Sequence, residues 1–388
     1  MAVPPLAQFS LAIASSRLEE ELALRWRADV HEPTDERMKT TLQLLVEKPN
    51  IPTTTAWYLA DLGEARGKQE LFTKQSPQRL RLFREHALIE SAVSSNRIEG
   101  VEVDKSRVGT LIFGNPAFQD RDEEEVSGYR DALKLIHERG ATLPISEATI
   151  KKLHRLSRGK IWDAGKYKDK DIDIIQTYSD GCSRVRFKSV PAEKTPNAMT
   201  ELMELWQRGL RERSVHPFAL AAALNLDFLC IHPFRDGNGR VSRLLFLLAC
   251  YHCGLEVGRY ISLERLIEQN KERYYEVLEQ SSQGWHEGKH DPWPTINFLL
   301  YTLTQACKEF ENRLDQVRIP RGEKTALVEA AIARQSGDFR VADIQHACPG
   351  VSVDLIRAVL KRLKGAEVEC LGRGTAAKWR KKRRKAAK

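Results

Sequence analysis

One stretch of the chain, Ile231 to Arg243, holds most of its chemically capable residues. It carries a histidine (His232), an aspartate (Asp236), two glycines around an amide (Gly237-Asn238-Gly239) and two arginines (Arg240 and Arg243). A histidine titrates near neutrality and can take a proton from an attacking hydroxyl. Asp236 offers hard oxygens of the kind Mg²⁺ takes, one or two carboxylates alongside substrate phosphates. Glycine permits positive φ and close approach of backbone to a ligand. Arginines bind phosphate oxygens through forked N–H groups. The combination describes phosphate-transfer chemistry on a nucleotide with a metal.

The flanking sequence says how these groups are positioned. An apolar helical run, Phe218 to Leu229, leads into the stretch. A second, Leu244 to Tyr251, leaves it and ends at Gly254. The reading is helix, short loop, helix. The loop opens a helix whose free N–H groups and dipole favour an anion. Arg240 and Arg243, three apart, project from neighbouring faces of its first turn.

The stretch resembles the signature of the Fic family, His-Pro-Phe-x-(Asp/Glu)-Gly-Asn-Gly-Arg-x-x-Arg, at every specified position. Most Fic proteins transfer AMP from ATP to a hydroxyl side chain of a protein. The resemblance implies that His232 is the general base and Asp236 the ligand of a Mg²⁺ bridging the α- and β-phosphates. It implies that Gly237, Asn238 and Gly239 form the anion-binding turn, that Arg240 and Arg243 hold the outer phosphates, and that Phe234 anchors the loop. A second segment, Ser95-Asn96-Arg97-Ile98-Glu99-Gly100, resembles the family's inhibitory motif, (Ser/Thr)-x-x-x-Glu-(Gly/Asn). There the glutamate pairs with the second signature arginine and turns it from the γ-phosphate site. In this chain the pair is Glu99 with Arg243, with Ser95 holding the helix. Leu82, His86, Ile89 and Val93 recur at helical spacing before it, and Gly100 is a stop.

Other expectations follow the chain order. Ile172, Ile174, Val185 and Phe187 alternate around Ser179-Asp180-Gly181, a hairpin pattern. The resemblance makes it the flap that docks a target as an added strand. Tyr274 and Tyr275, on a helix read over Ser262 to Ser282, stand where the family has paired tyrosines near the nucleotide. The acidic run Asp120 to Glu125 reads as a solvated helix start. Ser146 reads as the cap of a helix that ends at Gly159.

The predicted fold is mainly α. It has a Fic-like helical core, a small β-hairpin flap and a C-terminal module resembling a winged helix-turn-helix. We divide it as residues 1–110, a helical region with the inhibitory helix at about 82–100; residues 111–316, the catalytic core with the flap at about 166–190; and residues 317–388, the module and a basic tail. In the module, helices over 324–335, 341–347 and 351–364 are followed by strands over 368–371 and 377–380. Leu355, Val359 and Leu363 face inward, and Arg357, Lys361 and Arg362 outward.

Composition bounds the rest. A chain of 388 residues, 41% hydrophobic and 30% charged, suits a soluble protein of two or three domains. No apolar stretch is long enough to span a bilayer, and no secretory signal is evident, so a cytoplasmic location and no membrane partner are expected. The +9 formal charge is concentrated in the tail Lys378 to Lys385, which leaves the remainder near neutral. Seven scattered cysteines fit reduced thiols, and Cys250 and Cys253 read as helix packing.

The function so predicted is a protein adenylyltransferase (a nucleotidyltransferase) using ATP and Mg²⁺ on a Tyr, Thr or Ser hydroxyl of a target or of itself, restrained by Glu99. Two alternatives stay open: removal of AMP by the same site, and DNA binding through the C-terminal module. A homodimer also stays open.

Overall fold

In the computed structural model the described residues are 39–73, 77–114, 117–177, 182–316, 323–333, 335, 337–348, 351–372 and 377–382. The expected hairpin tip at Ser179-Asp180-Gly181, the break at Asn115-Pro116, the interdomain boundary at 317–322 and the tail beyond 382 lie outside them.

Helices dominate. In chain order they are α1 (Thr41–Glu47), α2 (Thr53–Thr73), α3 (Pro77–Ile98), α4 (Lys105–Phe113), α5 (Arg121–Arg139) and α6 (Glu147–Arg158). A two-stranded antiparallel hairpin follows, β1 (Asp173–Thr177) and β2 (Ser183–Lys188). Then come α7 (Thr195–Glu212), α8 (Pro217–Ile231), α9 (Asn238–His252), α10 (Leu263–Glu268), α11 (Lys271–Ser282) and α12 (Trp293–Gln316).

The central pair is α8 and α9. Helix α8 is apolar all round, as a helix enclosed by protein must be; nearly every side chain from Phe218 to Ile231 is buried. Proline at its first turn has the right φ and loses no needed N–H. Its one buried acid, Asp227, accepts from Thr41 N, Leu42 N and Trp285 Nε1, each at 2.8 Å. That carboxylate thereby fastens the start of α1 to the core. Asn225 Nδ2 donates to Ser242 O at 2.8 Å, so α8 and α9 are also joined by a buried amide. Together they give the signature loop between them a rigid frame.

The second unit comprises α13 (Glu323–Ala333), β3 (Phe339–Arg340), α14 (Val341–Ala347), α15 (Val353–Leu363), β4 (Val368–Cys370) and β5 (Lys378–Lys381). Its sheet runs in the order β3-β5-β4, all antiparallel. It has its own core around Val328, Ile332, Phe339, Ile344, Ile356, Val359 and Leu360.

Several expectations are corrected. On α3 the expected inward face is misphased: Leu82 is 63% exposed, and His86 is exposed too. The buried stripe is Leu80, Ala87, Leu88, Ser91, Ser95 and Ile98. Its serines are paired with the core, so a polar stripe was hidden from a hydrophobic pattern. The helix expected over 262–282 is two, α10 and α11, broken at Gln269-Asn270. Asn270 Nδ2 donates back to Leu266 O at 2.9 Å, the local bonding by which asparagine competes with a continuing helix. The acidic run is not solvated at its end: Glu123 and Glu125 are each 3% exposed. Glu123 is fixed by Arg107, and Glu125 by a group of arginines described below.

Candidate active site

The loop between α8 and α9 is shaped by two left-handed residues. His232 ends α8 with φ 52° and ψ 59°, and Gly237 precedes α9 with φ 80°. Asn238 closes the loop on itself: Phe234 N donates to its Oδ1 at 2.9 Å, and its Nδ2 donates to Phe234 O at 2.7 Å. Both ends of the amide are thus used on structure. Phe234 is fully buried and stacks on the His154 ring, centroids 3.8 Å apart. Gly165 N donates to His154 Nδ1 at 2.8 Å, so the other ring nitrogen carries the proton and donates to Asp236 O at 3.0 Å. Burial lowers the His154 pKa to about 4, which keeps this strut neutral.

His232 faces a cavity of about 380 Å³, lined also by Glu99, Arg186, Gly239, Arg243, Tyr274 and Tyr275. Its Nδ1 lies 3.2 Å from Leu229 O. Donation to that carbonyl leaves the lone pair of the neutral ring on Nε2. Burial is the main cause that lowers its pKa to about 4, and Lys168 and Arg186 push the same way against Leu229 O and Glu99. At neutral pH the ring is therefore an available base.

Glu99 enters the cavity from the end of α3. Its Oε1 is 2.8 Å from Arg243 Nη2. The same arginine donates from Nε to Ser95 Oγ and from Nη2 to Ser95 O, each at 2.9 Å. Arg243 is buried; burial opposes its charge, but Glu99 and the buried Tyr129 and Tyr274 hold its pKa above the ordinary arginine value. Its Nη1 is buried without a hydrogen-bond partner among the described residues. Glu99 Oε1 also covers Gly239, where any β-carbon would collide with it. The carboxylate thus stands over the positive end of α9, where an anion is favoured.

Arg240 takes a different place from the one expected of it. It is 2% exposed, does not line the cavity, and is bound to Glu125 Oε2 at 2.5 Å and Asn96 Oδ1 at 3.2 Å. Glu125 also receives Arg158 at 2.5 Å and Arg121 at 3.0 Å. Arg158 reaches on to Asp236 Oδ2 at 2.9 Å. Asp236 and Arg240 thus belong to one network centred on a carboxylate in α5. Both signature arginines are gripped by the last turns of α3, Arg240 by Asn96 and Arg243 by Ser95 and Glu99.

Asp236 is the one signature residue suited to a hard cation. Burial opposes its charge, yet Arg158 and Arg240 hold its pKa below the usual carboxylate value. Among the described residues no cluster of three or more His, Cys, Asp or Glu could enclose a metal. A lone ionised carboxylate fits a Mg²⁺ that depends on nucleotide oxygens for its remaining ligands.

Tyr274 and Tyr275 both reach the cavity, with ring centroids 5.5 Å apart. Tyr274 is buried, while Tyr275 donates to Ile98 O at 3.2 Å and so touches the end of α3.

Sequence reasoning missed four contributors. Glu125 and Arg158 hold the loop's charged groups, and neither belongs to a recognisable spacing. Arg186 on β2 lines the cavity, its guanidinium 5.4 Å from the Tyr275 ring centroid. Lys168 donates from its backbone to Pro233 O at 2.9 Å, and from Nζ to Ile231 O at 3.1 Å and Ser189 Oγ at 2.7 Å. It ties the signature loop to the base of the hairpin. One basic residue ahead of a hairpin and another on its second strand carry no distinctive pattern, so nothing in the sequence separates them from surface lysines and arginines.

Residues 144–250 match the family model of the Fic/DOC family. The chain is similar to a protein adenylyltransferase Fic of Nematostella vectensis, 26% identical over 284 residues that make up 70% of this chain and 60% of the relative. It is likewise similar to one of Drosophila yakuba, 26% identical over 297 residues, 75% of this chain and 51% of the relative. The chain therefore spans between half and two thirds of the length of these two curated relatives. Among solved structures, a Fic family protein from Desulfovibrio desulfuricans superposes with a TM-score of 0.58 at 22% identity, covering 87% of this chain and 98% of that one. Fic-1 from C. elegans gives 0.54 at 18% identity, covering 78% and 79%. No helix among the described residues is long and apolar enough to cross a membrane.

Proposed function

We propose that the chain, whose residues 144–250 match the Fic/DOC family model, is a protein adenylyltransferase held in check by its own Glu99. The observation that carries this reading is the seating of Glu99 on Arg243 and over Gly239, in the same cavity as the neutral base His232.

In the reaction the acceptor hydroxyl of a Ser, Thr or Tyr side chain attacks the α-phosphorus of ATP. His232 Nε2 takes the hydroxyl proton as the oxygen–phosphorus bond forms. The bond from the α-phosphorus to its bridging oxygen breaks, and pyrophosphate leaves with that electron pair. The contribution of the protein is placement and charge, as phosphate transfer generally demands. The N–H groups of Gly239 and its neighbours and the Arg243 guanidinium offer the outer phosphates a cradle once Glu99 withdraws. Arg240, in our reading, acts at one remove by fixing the loop. Mg²⁺, when bound at Asp236, would supply charge neutralisation at the phosphates.

The hairpin suits capture of a target segment. Ile175 and Val185 face each other across the ladder and are 59% and 50% exposed. Exposed apolar residues next to a reacting centre fit an added strand from a protein substrate.

The test is incubation with ATP labelled on the α-phosphate or on the γ-phosphate, alone and with candidate protein substrates, for wild type, Glu99→Gly and His232→Ala. Protein-bound α-label that increases in Glu99→Gly and vanishes in His232→Ala is expected. Bound γ-label alone would mean phosphate rather than AMP transfer. Loss of label from a pre-modified protein, without incorporation, would reverse the direction of the reaction.

A further inference from the structure

The C-terminal unit has an outward face that the proposed transferase chemistry does not use. Helix α14 ends at Ala347 and α15 begins at Val353, and Ser352 caps α15 by accepting from Leu355 N at 3.3 Å. Helix α15 buries Ile356, Val359 and Leu360 in the unit's core. That packing leaves Asp354, Arg357, Ala358, Lys361 and Arg362 on the exposed side. The strand order β3-β5-β4 sets a hairpin beside this helix pair. Two helices close in sequence followed by an antiparallel strand pair is the element order of helix-turn-helix modules with a hairpin, in which the second helix enters a groove.

Charge decides what would fit that face. Lys and Arg outnumber Asp and Glu within 323–382. Some of the cations are engaged within the unit: Arg362 with Glu329, and Arg380 with Asp338. Arg357 lies 3.6 Å from an Asp354 carboxylate that is 93% exposed, a solvated pair that a phosphate can displace. Lys361, one turn further on, forms no ion pair among the described residues. Lys378 and Arg380 alternate with the half-buried Trp379 on β5 and are exposed. The unit's described aromatic residues, Phe339 and Trp379, both pack on its core. It therefore presents no stacking platform of the sort that single strands require.

We propose that this unit binds duplex DNA, with α15 in the major groove and Arg357 and Lys361 on the phosphates. The eleven residues of α15 rise about 16 Å. That length can lie in a groove about 12 Å wide. The proposal is independent of the reaction assigned to the Fic domain.

The experiment is fluorescence anisotropy of the full-length chain with a labelled mixed-sequence duplex of about three helical turns, titrated between about 50 and 200 mM salt. Binding that weakens by about tenfold or more across this range is expected. In Arg357→Gln/Lys361→Gln the slope of log affinity against log salt should fall by about 2, because two phosphate contacts are lost. Arg357→Lys/Lys361→Arg should restore it, and a thermal melt matching wild type would show that the unit still folds. Three outcomes would each overturn the proposal: no salt-dependent binding, a slope that is the same in the glutamine variant (binding by the basic tail alone), or tighter binding to single-stranded RNA than to the duplex.

Discussion

Glu99 and Arg243 meet at 2.8 Å although 144 positions separate them in the chain. The contact is directional: the arginine is also held from Nε and Nη2 by Ser95, so Ser95 and Glu99 together fix its plane. A carboxylate in this position neutralises the arginine and fills the anion site at the start of α9. Replacing it should therefore free both. Glu99→Gly is expected to raise AMP incorporation by about tenfold or more, since about 1.4 kcal/mol of competing interaction corresponds to a factor of ten. Glu99→Gln, which keeps the shape but loses the charge, should fall between. Incorporation of α-label measures both, and equal rates in all three proteins would remove the latch.

A different experiment addresses the network behind the loop. Glu125 is buried and receives Arg121, Arg158 and Arg240. Its removal leaves the buried Arg158 and Arg240 to share the half-exposed Asp236, 2.9 and 4.0 Å away, as their remaining carboxylate. Breaking a buried pair in this way costs about 3–5 kcal/mol. Glu125→Gln should accordingly lower the denaturation midpoint strongly, as followed by circular dichroism in urea. A loss below about 1 kcal/mol would mean that water or another acid compensates.

What the sequence disclosed and what it hid differ for a physical reason. The signature loop is contiguous, so His232, Asp236, Gly237 and Arg243 are legible by spacing alone. Ser95 and Glu99 are far away in the chain, and became legible only because a second motif marks them. Glu125 has no motif. Read locally, it is one acid in a helix start with Arg121 one turn before it, and only the packing of α5 against α6 and α9 brings Arg158 and Arg240 to it. Arg240 was expected at the phosphates for the same reason: its neighbours in space, Asn96 and Glu125, lie far off in sequence. The inward face of α3 was misread because its buried positions include Ser91 and Ser95, which are stabilised by hydrogen bonds rather than by apolar contact. A strand as short as β3 has too few residues to show any alternation.

Lys168 provides a test of how the hairpin and the loop are coupled. Its Nζ bonds Ile231 O and Ser189 Oγ, and Ser189 Oγ donates on to Ile172 O at 2.6 Å. It touches neither nucleotide nor acceptor in the proposed reaction, so it is a positioning residue. Lys168→Met keeps the stem and removes the donor. In the Glu99→Gly background it should lower kcat for AMP transfer by about tenfold or more, because small displacements of a reacting group are costly. The KM for ATP should change little. Lys168→Arg, which can still donate, should recover part of kcat. An altered KM with kcat intact would place Lys168 at the nucleotide instead.

The pH dependence follows from His232. Burial lowers its pKa from 6.5 to about 4, so it is unprotonated through the whole neutral range. Only the neutral ring can accept the hydroxyl proton. AMP transfer should therefore persist well below pH 6.5 and be lost as the pH falls through about 4. Removing Glu99, which favours the protonated ring, should shift that acid limb lower still in Glu99→Gly. Stability carries the same sign. A base whose pKa is depressed by folding binds fewer protons in the folded state, so its contribution is full above 6.5 and is lost as the pH falls towards 4. The measurement is kcat/KM against pH in Glu99→Gly, paired with urea melts at the same pH values to separate inactivation from unfolding. An acid limb near 6.5, with the protein still folded, would show that the catalytic ring is solvated rather than enclosed by Leu229, Lys168 and Arg186.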